Sequence, residues 1–338
     1  MKNDNRIHIL VIGPSWVGDM VMAQSLFKTL KQQHPGAAID VIAPAWSEAL
    51  LARMPEVNRS ITLPVGHGQF KPGVRYRLAR SLRANNYQQA IVLPNSFKSA
   101  LIPFWAHIPK RTGYTGELRW GLLNDRRRLD KTALPMTVQR FVALGLPADV
   151  PLADVLSPAL IVSGDNVEAA LTRHDLQRPD SPVLAICPGA EYGPAKRWPV
   201  HYFAEVARNR RAAGWQVWLF GSQNDVPITQ EIARLLEGQC VDLAGQTTLA
   251  DAIDLMSLAE RVVTNDSGLM HIAASLDRKL IALYGSSDPG FTPPLNKQAT
   301  VLSLGLDCSP CFKRDCPLGH MKCLRDLTPD KVIAVFDG

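Results

Sequence analysis

"IHILVIGPSWVGDM", residues 7–20, runs from an apolar stretch broken only by His8 into a glycine-bracketed turn and the start of a helix. A near-continuous Ile/Leu/Val run is how a strand buried on both faces reads, and such strands belong to parallel sheets covered by helices. Gly13 and Gly18 have the spacing of a phosphate-binding P-loop, yet Asp19 and Met20 stand where that loop requires lysine and a hydroxyl. A carboxylate in the first turn of a helix is stabilised by backbone N–H groups and the macrodipole. It repels a phosphate and is suited to accept a proton from a hydroxyl. The plainer reading is an ordinary helix-start acid; Gly18 and the strand just before favour a catalytic one.

Outward from this stretch the same alternation recurs. Further strands read "AAIDVIAP", "SITLP", "QAIVLP" and "KRTGY", with helices predicted near 18–34, 46–54, 72–85, 96–107 and 136–145. A second series begins at "PVLAICPG" and continues through "WQVWLFGS", "CVDLAG", "RVVTND" and "LIALYG", with helices near 199–213, 225–237, 249–259 and 268–276. Residues 147–181, rich in Pro, Asp and Ser, read as a linker. Thr328 and Pro329 suit the N-cap and N1 of a terminal helix. The expectation is two doubly wound Rossmann-like α/β domains facing across a cleft: 1–160, a hinge at 161–180, 181–327, then a helix at 328–338. Ligands of such folds sit beyond the C-terminal ends of the strands.

At 338 residues, two domains are the natural expectation. Residues 1–160 hold 20 Lys and Arg against 10 Asp and Glu; residues 161–338 hold 17 against 21. A basic first half suggests an anionic partner there, or only a solvated surface. No stretch approaches the ~20 apolar residues of a membrane helix, and "IHILVIG" is too short for a signal sequence. A cytoplasmic protein with reduced cysteines is the expectation. Nucleic acid is disfavoured, since no recognised motif or aromatic interleaving accompanies the basic residues.

If the first half offers a base, the second should hold an anion. "TNDSGLMH", residues 264–271, places Asn265 and Asp266 at a strand end, with Ser267, Gly268 and Leu269 opening a helix that carries His271. Unpaired N–H groups at such a helix start suit a pyrophosphate, although Asn/Asp/Ser before a helix is also a common cap. "CPGAEYGPAKRWP", residues 187–199, sets Gly189 in a loop after a strand, with Lys196 and Arg197 placed to neutralise a leaving phosphate. In "GSQND", Ser222 and Asp225 follow a strand, where an acid binds ribose hydroxyls or caps a helix. No D-x-D acidic pair occurs, so a diphosphate here is to be held by cations and a helix dipole rather than by a metal.

In "VRYRLARSLR", Arg77, Arg80 and Arg83 share one helix face opposite Val74, Leu78 and Leu82. With Lys98, Arg111, Arg119 and "RRR" at 126–128 they are either solvated or grip an anionic partner. "CSPCFKRDCPLGHMKC" spaces Cys308, Cys311, Cys316 and Cys323 as C-x2-C-x4-C-x6-C with His320 nearby. Such thiols suit a structural zinc, but the spacing matches no standard two-knuckle pattern, and a merely reduced cluster stays open.

Together "GPSWVGDMVMAQSL", "LPNSFKSAL", "CPGAEYGPAKRWP", "TNDSGLMHIAA" and "LYGSSDPGFTPP" resemble the heptosyltransferases of glycosyltransferase family 9, from the first strand to about Pro294. The resemblance implies a GT-B fold and an inverting, metal-independent transfer of L-glycero-D-manno-heptose. The donor is ADP-heptose and the acceptor is the first heptose of the lipopolysaccharide inner core, heptosyl-Kdo2-lipid A. It implies Asp19 as the catalytic base and Lys196 beside the donor phosphates. Gly189, Arg197, Ser222, Asp225, Asp266, Ser267, Gly268, Leu269 and His271 fall to the donor. Gly18, Asn95, Lys98, Arg111 and Arg119 fall to a phosphorylated glycolipid acceptor, with peripheral contact at the anionic cytoplasmic face of the inner membrane. An epimerase or hydrolase of the same fold, or a non-catalytic nucleotide-sugar-binding protein, are the rival readings.

Overall fold

A computed structural model describes residues 6–66, 68–152 and 154–337. The chain divides into two compact units, Met1–Pro158 and Ala159–Gly338. Unit 1 holds a six-stranded sheet of β1 (His8–Ile12), β2 (Ala38–Ala43), β3 (Val57–Thr62), β4 (Gln89–Val92), β5 (Lys110–Tyr114) and β6 (Asp125–Arg127). The strands run in the order β3-β2-β1-β4-β5-β6, every pair parallel. In register, Val11 of β1 lies between Val41 and Ile91. Ile9 through Ile12 are buried, as a central strand covered on both faces requires.

Unit 2 repeats the plan with β7 (Val183–Cys187), β8 (Gln216–Leu219), β9 (Val241–Asp242), β10 (Arg261–Asn265), β11 (Lys279–Leu283) and β12 (Ala299–Leu302). Its order is β12-β11-β10-β7-β8-β9, again all parallel. Counted from its own first strand, each sheet has the doubly wound order 3-2-1-4-5-6. The strand order reverses between β1 and β4 in one unit and between β7 and β10 in the other. In each unit the loops leaving those two strands border that sheet's own switch point, where doubly wound sheets bind ligands.

Apolar spacing explains the covering helices. Helix Val17–Gln33 buries Met20, Ala23, Phe27 and Leu30 at steps of three and four. Helix Val200–Ala212 buries Phe203, Ala204, Val206 and Ala207 against Leu184, Ile186 and Val263. The observed elements depart from the sequence reading in two ways. The short edge strands β6 and β12 carry no buried residue, so they left no apolar run to detect. The expected hinge contains helix Gly164–Arg173, capped by Ser163, whose hydroxyl accepts from Asn166 N. Val167, Ala170 and Leu171 form its buried stripe, which is too short to stand out among Pro, Asp and Ser.

Candidate functional site

In unit 2 the loops after β7, β8 and β10 converge. Lys196, from the β7 loop, places its Nζ 2.6 Å from Asp266 Oδ2 at the end of β10. The pair is largely buried, with side chains 18% and 5% exposed, and the ammonium also lies 5.2 Å from the centre of the Tyr192 ring. His271, one turn into helix Gly268–Ser275, is buried beside both charges. Burial pushes its pKa down to about 4; Asp266 pulls the other way and Lys196 reinforces the fall. The imidazole is thus neutral at physiological pH.

Ser267 is the N-cap of that helix, yet its side chain makes no capping bond. Ser267, Gly268 and Leu269 are all partly exposed, so the helix start can receive an anion beside Lys196. Asn265 does not face a ligand as the sequence suggested. It is fully buried, accepting from Trp198 N and donating to Pro188 O, and so it ties the β10 end to the β7 loop.

Asp225 takes the capping role and keeps one oxygen free of it. Its Oδ2 accepts from Ser222 N at 2.9 Å and Ser222 Oγ at 2.8 Å, a capping box. Its Oδ1 is buried without a partner in the chain, leaving an acceptor for a ligand hydroxyl. Gly189 permits this placement, because a Cβ there would lie 2.3 Å from the Asp225 carboxylate. Arg197 goes elsewhere: its Nη2 reaches Ala190 O, and it lines a groove with Tyr202, Met321 and Arg325 that neither Lys196 nor Asp266 lines. Two residues escaped the sequence reading. Ser286 and Ser287, just beyond β11, carry buried hydroxyls with no partner in the chain. Small hydroxyl residues directly after a strand were the available signal.

In unit 1, Asp19 is the third residue of helix Val17–Gln33 and is half-buried, with Gly18 beside it. Gly13 serves packing. A Cβ there would lie 2.7 Å from Met20 Cε, and its N–H continues the sheet ladder to Ile42 O. Asn95 and Lys98 follow β4, the former exposed and the latter half-buried.

The two arginines assigned to the acceptor are both engaged by the chain itself. Arg119 is 1% exposed and donates to Pro94 O, Asn95 Oδ1 and Tyr114 O, so it is a strut under the β4 loop. Arg111 donates to Leu122 O and Ile108 O and stacks on Phe104. By contrast Arg77, Arg80 and Arg83 are exposed as expected.

Cys308, Cys311, Cys316 and Cys323 with His320 line one cavity of about 20 Å³. Backbone N–H groups of Met321, Leu318, Gly319 and His320 hold the Cys316 thiol below its ordinary range, and burial followed by its three neighbouring sulfurs pushes Cys323 up. Among the described residues no three His, Cys, Asp or Glu side chains already converge as a metal site.

The signature of glycosyltransferase family 9 (heptosyltransferase) spans residues 75–322. The chain belongs to that family. It is 50% identical over 335 residues to lipopolysaccharide heptosyltransferase 2 of Salmonella typhimurium and 48% identical over 336 residues to that of Escherichia coli K12, covering 96% of each chain in both cases. The solved E. coli ADP-heptose lps heptosyltransferase II matches it with a TM-score of 0.87 at 45% identity over 98% of both chains. The two doubly wound sheets are therefore those of a GT-B-type glycosyltransferase, and the family's chemistry is heptose transfer. The unit 2 cluster lies within the span of the family signature, whereas Asp19 lies ahead of it.

Proposed function

We propose that this family 9 enzyme transfers L-glycero-D-manno-heptose from ADP-heptose to the first heptose of heptosyl-Kdo2-lipid A, with inversion at the anomeric carbon. One observation carries the reading: the buried Lys196–Asp266 pair lies beside a helix start left uncapped, an arrangement built for a diphosphate without a metal. Unit 2 then holds the donor. Lys196 and the amides at 267–269 take the phosphates, Asp225 Oδ1 takes a ribose hydroxyl, and Ser286 and Ser287 supply further donors.

Unit 1 receives the acceptor. Asp19 removes the proton from the attacking hydroxyl as its oxygen bonds to the anomeric carbon, the carbon–phosphate oxygen bond breaks, and ADP leaves. Charge on the departing phosphate is offset by Lys196. Asn95 and Lys98 are the side chains after β4 placed to contact acceptor.

A glycolipid acceptor brings the enzyme to an anionic bilayer, and unit 1 has a surface suited to it. Exposed Tyr76 packs edge-on to Trp105, Arg111 stacks on exposed Phe104, and Arg126 stacks on exposed Trp120. These rings meet arginines through the fold rather than by interleaving in the sequence, and such ring–guanidinium stacks suit the headgroup region. Among the described residues no helix is long and apolar enough to cross a membrane, so contact is peripheral.

The test is ADP release from ADP-heptose with and without heptosyl-Kdo2-lipid A. Transfer predicts release only with acceptor. Product from donor alone would mark an epimerase or hydrolase, and binding without turnover in either arm would mark a carrier.

A further inference from the structure

Residues 303–321, between β12 and the short helix Lys322–Arg325, contain no helix or strand and not one fully buried residue. A 19-residue segment of this kind lacks the apolar burial that usually orders chain. It is nonetheless tied to the donor loop at several points. Arg314 O accepts from Ala195 N at 2.9 Å, and Arg314 Nε donates to Tyr192 O at 2.7 Å. Tyr192 Oη donates to Phe312 O at 2.8 Å, while Phe312 N donates to Ser286 O at 2.7 Å. Tyr192 is the ring on which Lys196 rests.

What orders the segment is suggested by its cysteines. Four thiols within 16 residues border one cavity of about 20 Å³, room for one atom-sized occupant. Ser286, whose hydroxyl has no partner in the chain, lines it too. Among the described residues no three ligating side chains form a metal site as they stand, but all four thiols and His320 border the same cavity.

We propose that Cys308, Cys311, Cys316 and Cys323 bind one thiophilic divalent ion, zinc or iron, which braces the 303–321 segment against the loop that presents Lys196. The ion takes no part in transfer.

The full chain, purified under reductant, is analysed for zinc and iron by plasma mass spectrometry, which also tells the two metals apart. About one ion per chain is expected. Cys316→Ser is expected to lower that content by about tenfold or more, whereas Cys240→Ser, outside the segment, leaves it unchanged. If Cys316→Ser does not fold, wild-type enzyme stripped by a mercurial and a chelator is used instead, with hydrogen exchange across 303–321 as readout; faster exchange after stripping is expected. A chain that holds no metal after anaerobic reconstitution with either ion, or whose four thiols pair as disulfides under reductant, overturns the site. The brace rests on the donor-site reading: stripping should raise the Kd for ADP. An unchanged Kd in a chain that does bind metal overturns the brace alone. Failure of the donor reading shows separately, as wild-type chain that does not bind ADP.

Discussion

The two units share one sheet order but differ in the charges they bury. Unit 1 buries Arg53, Arg75 and Arg119 along with the acid Asp40, while unit 2 buries Asp225, Asp251, Asp254 and Asp266 beside the neutral His271. The buried arginines of unit 1 donate to main-chain carbonyls: Arg53 to Ala49 O, Arg75 to Phe70 O and Gln69 O, Arg119 to Pro94 O and Tyr114 O. Their charge holds loops and is not offered to a ligand. The buried groups of unit 2 include an ion pair, Lys196–Asp266, and a carboxylate oxygen of Asp225 without a partner in the chain. Identical topology therefore leaves binding to the loops, and the net charge of a half overstates its ligand footprint where guanidinium groups are structural.

The sharpest break of this comparison is at Asp19, half-buried in the first turn of helix Val17–Gln33. Positioned base catalysis is worth ~10²–10⁴ in rate, so Asp19→Ala should lower kcat by about that factor. ADP affinity, measured by calorimetry, should stay at the wild-type value. Near-normal turnover would remove Asp19 from the chemistry.

On the unit 2 side, Lys196→Ala withdraws the cation facing the leaving phosphate, and loss of one such preorganised donor typically costs about 10² in kcat. Unlike Asp19→Ala it should also weaken ADP and lower stability by about 3 kcal/mol, since Asp266 is left buried and unpaired. Urea denaturation beside ADP titration checks both. If the two substitutions gave the same pattern, the division of labour between the units would be wrong.

A third variant tests whether buried arginine in unit 1 is structure. Arg119→Ala strands the carbonyls of Pro94 and Tyr114 and should lower stability by about 2 kcal/mol. Turnover per folded molecule should change little. A normal melting temperature with a raised acceptor KM would return Arg119 to the ligand.

Much of this was legible in the sequence, and the limits have physical causes. Strands β1, β4, β7, β10 and β11 announced themselves because central parallel strands must be apolar throughout. Strands β6 and β12 lie at sheet edges, where half-exposed residues suffice. Lys196 and Asp266 were each visible as charged residues after strands, but their 2.6 Å contact joins positions 70 residues apart, and no local pattern encodes it. Arg119 misled for the same reason. Its charge is in the sequence, whereas its burial under the β4 loop is a property of the fold.

The pH response should also differ between the units. His271 titrates near its ordinary 6.5 when unfolded but at about 4 when folded, because burial beside Lys196 disfavours the imidazolium. Between those values the unfolded chain binds a proton that the native state refuses, so stability is full above about pH 6.5 and drains as pH falls toward 4. At pH 5 the loss should be about 2 kcal/mol. His271→Asn should flatten that part of the profile. A variant with wild-type slope would show that the acid sensitivity comes from other groups.

The smallest expected effect lies at Lys98, which sharpens the contrast with Arg119: Lys98 sits on the helix just after the β4 loop, whereas Arg119, which follows β5, is buried beneath that loop. Lys98 is half-buried on helix Phe97–Trp105. An ammonium near the surface attracts a phosphorylated acceptor through water, so it is worth at most about 1 kcal/mol and is screened by salt. Lys98→Ala should therefore raise the acceptor KM about three- to fivefold at low ionic strength while kcat and melting temperature hold. The difference should shrink as salt is raised beyond about 0.15 M, where the Debye length falls to about 8 Å. A salt-independent effect would instead mean a direct, desolvated contact between Lys98 and acceptor. That outcome would give unit 1 a buried charge contact with its ligand of the kind proposed for Lys196 in unit 2.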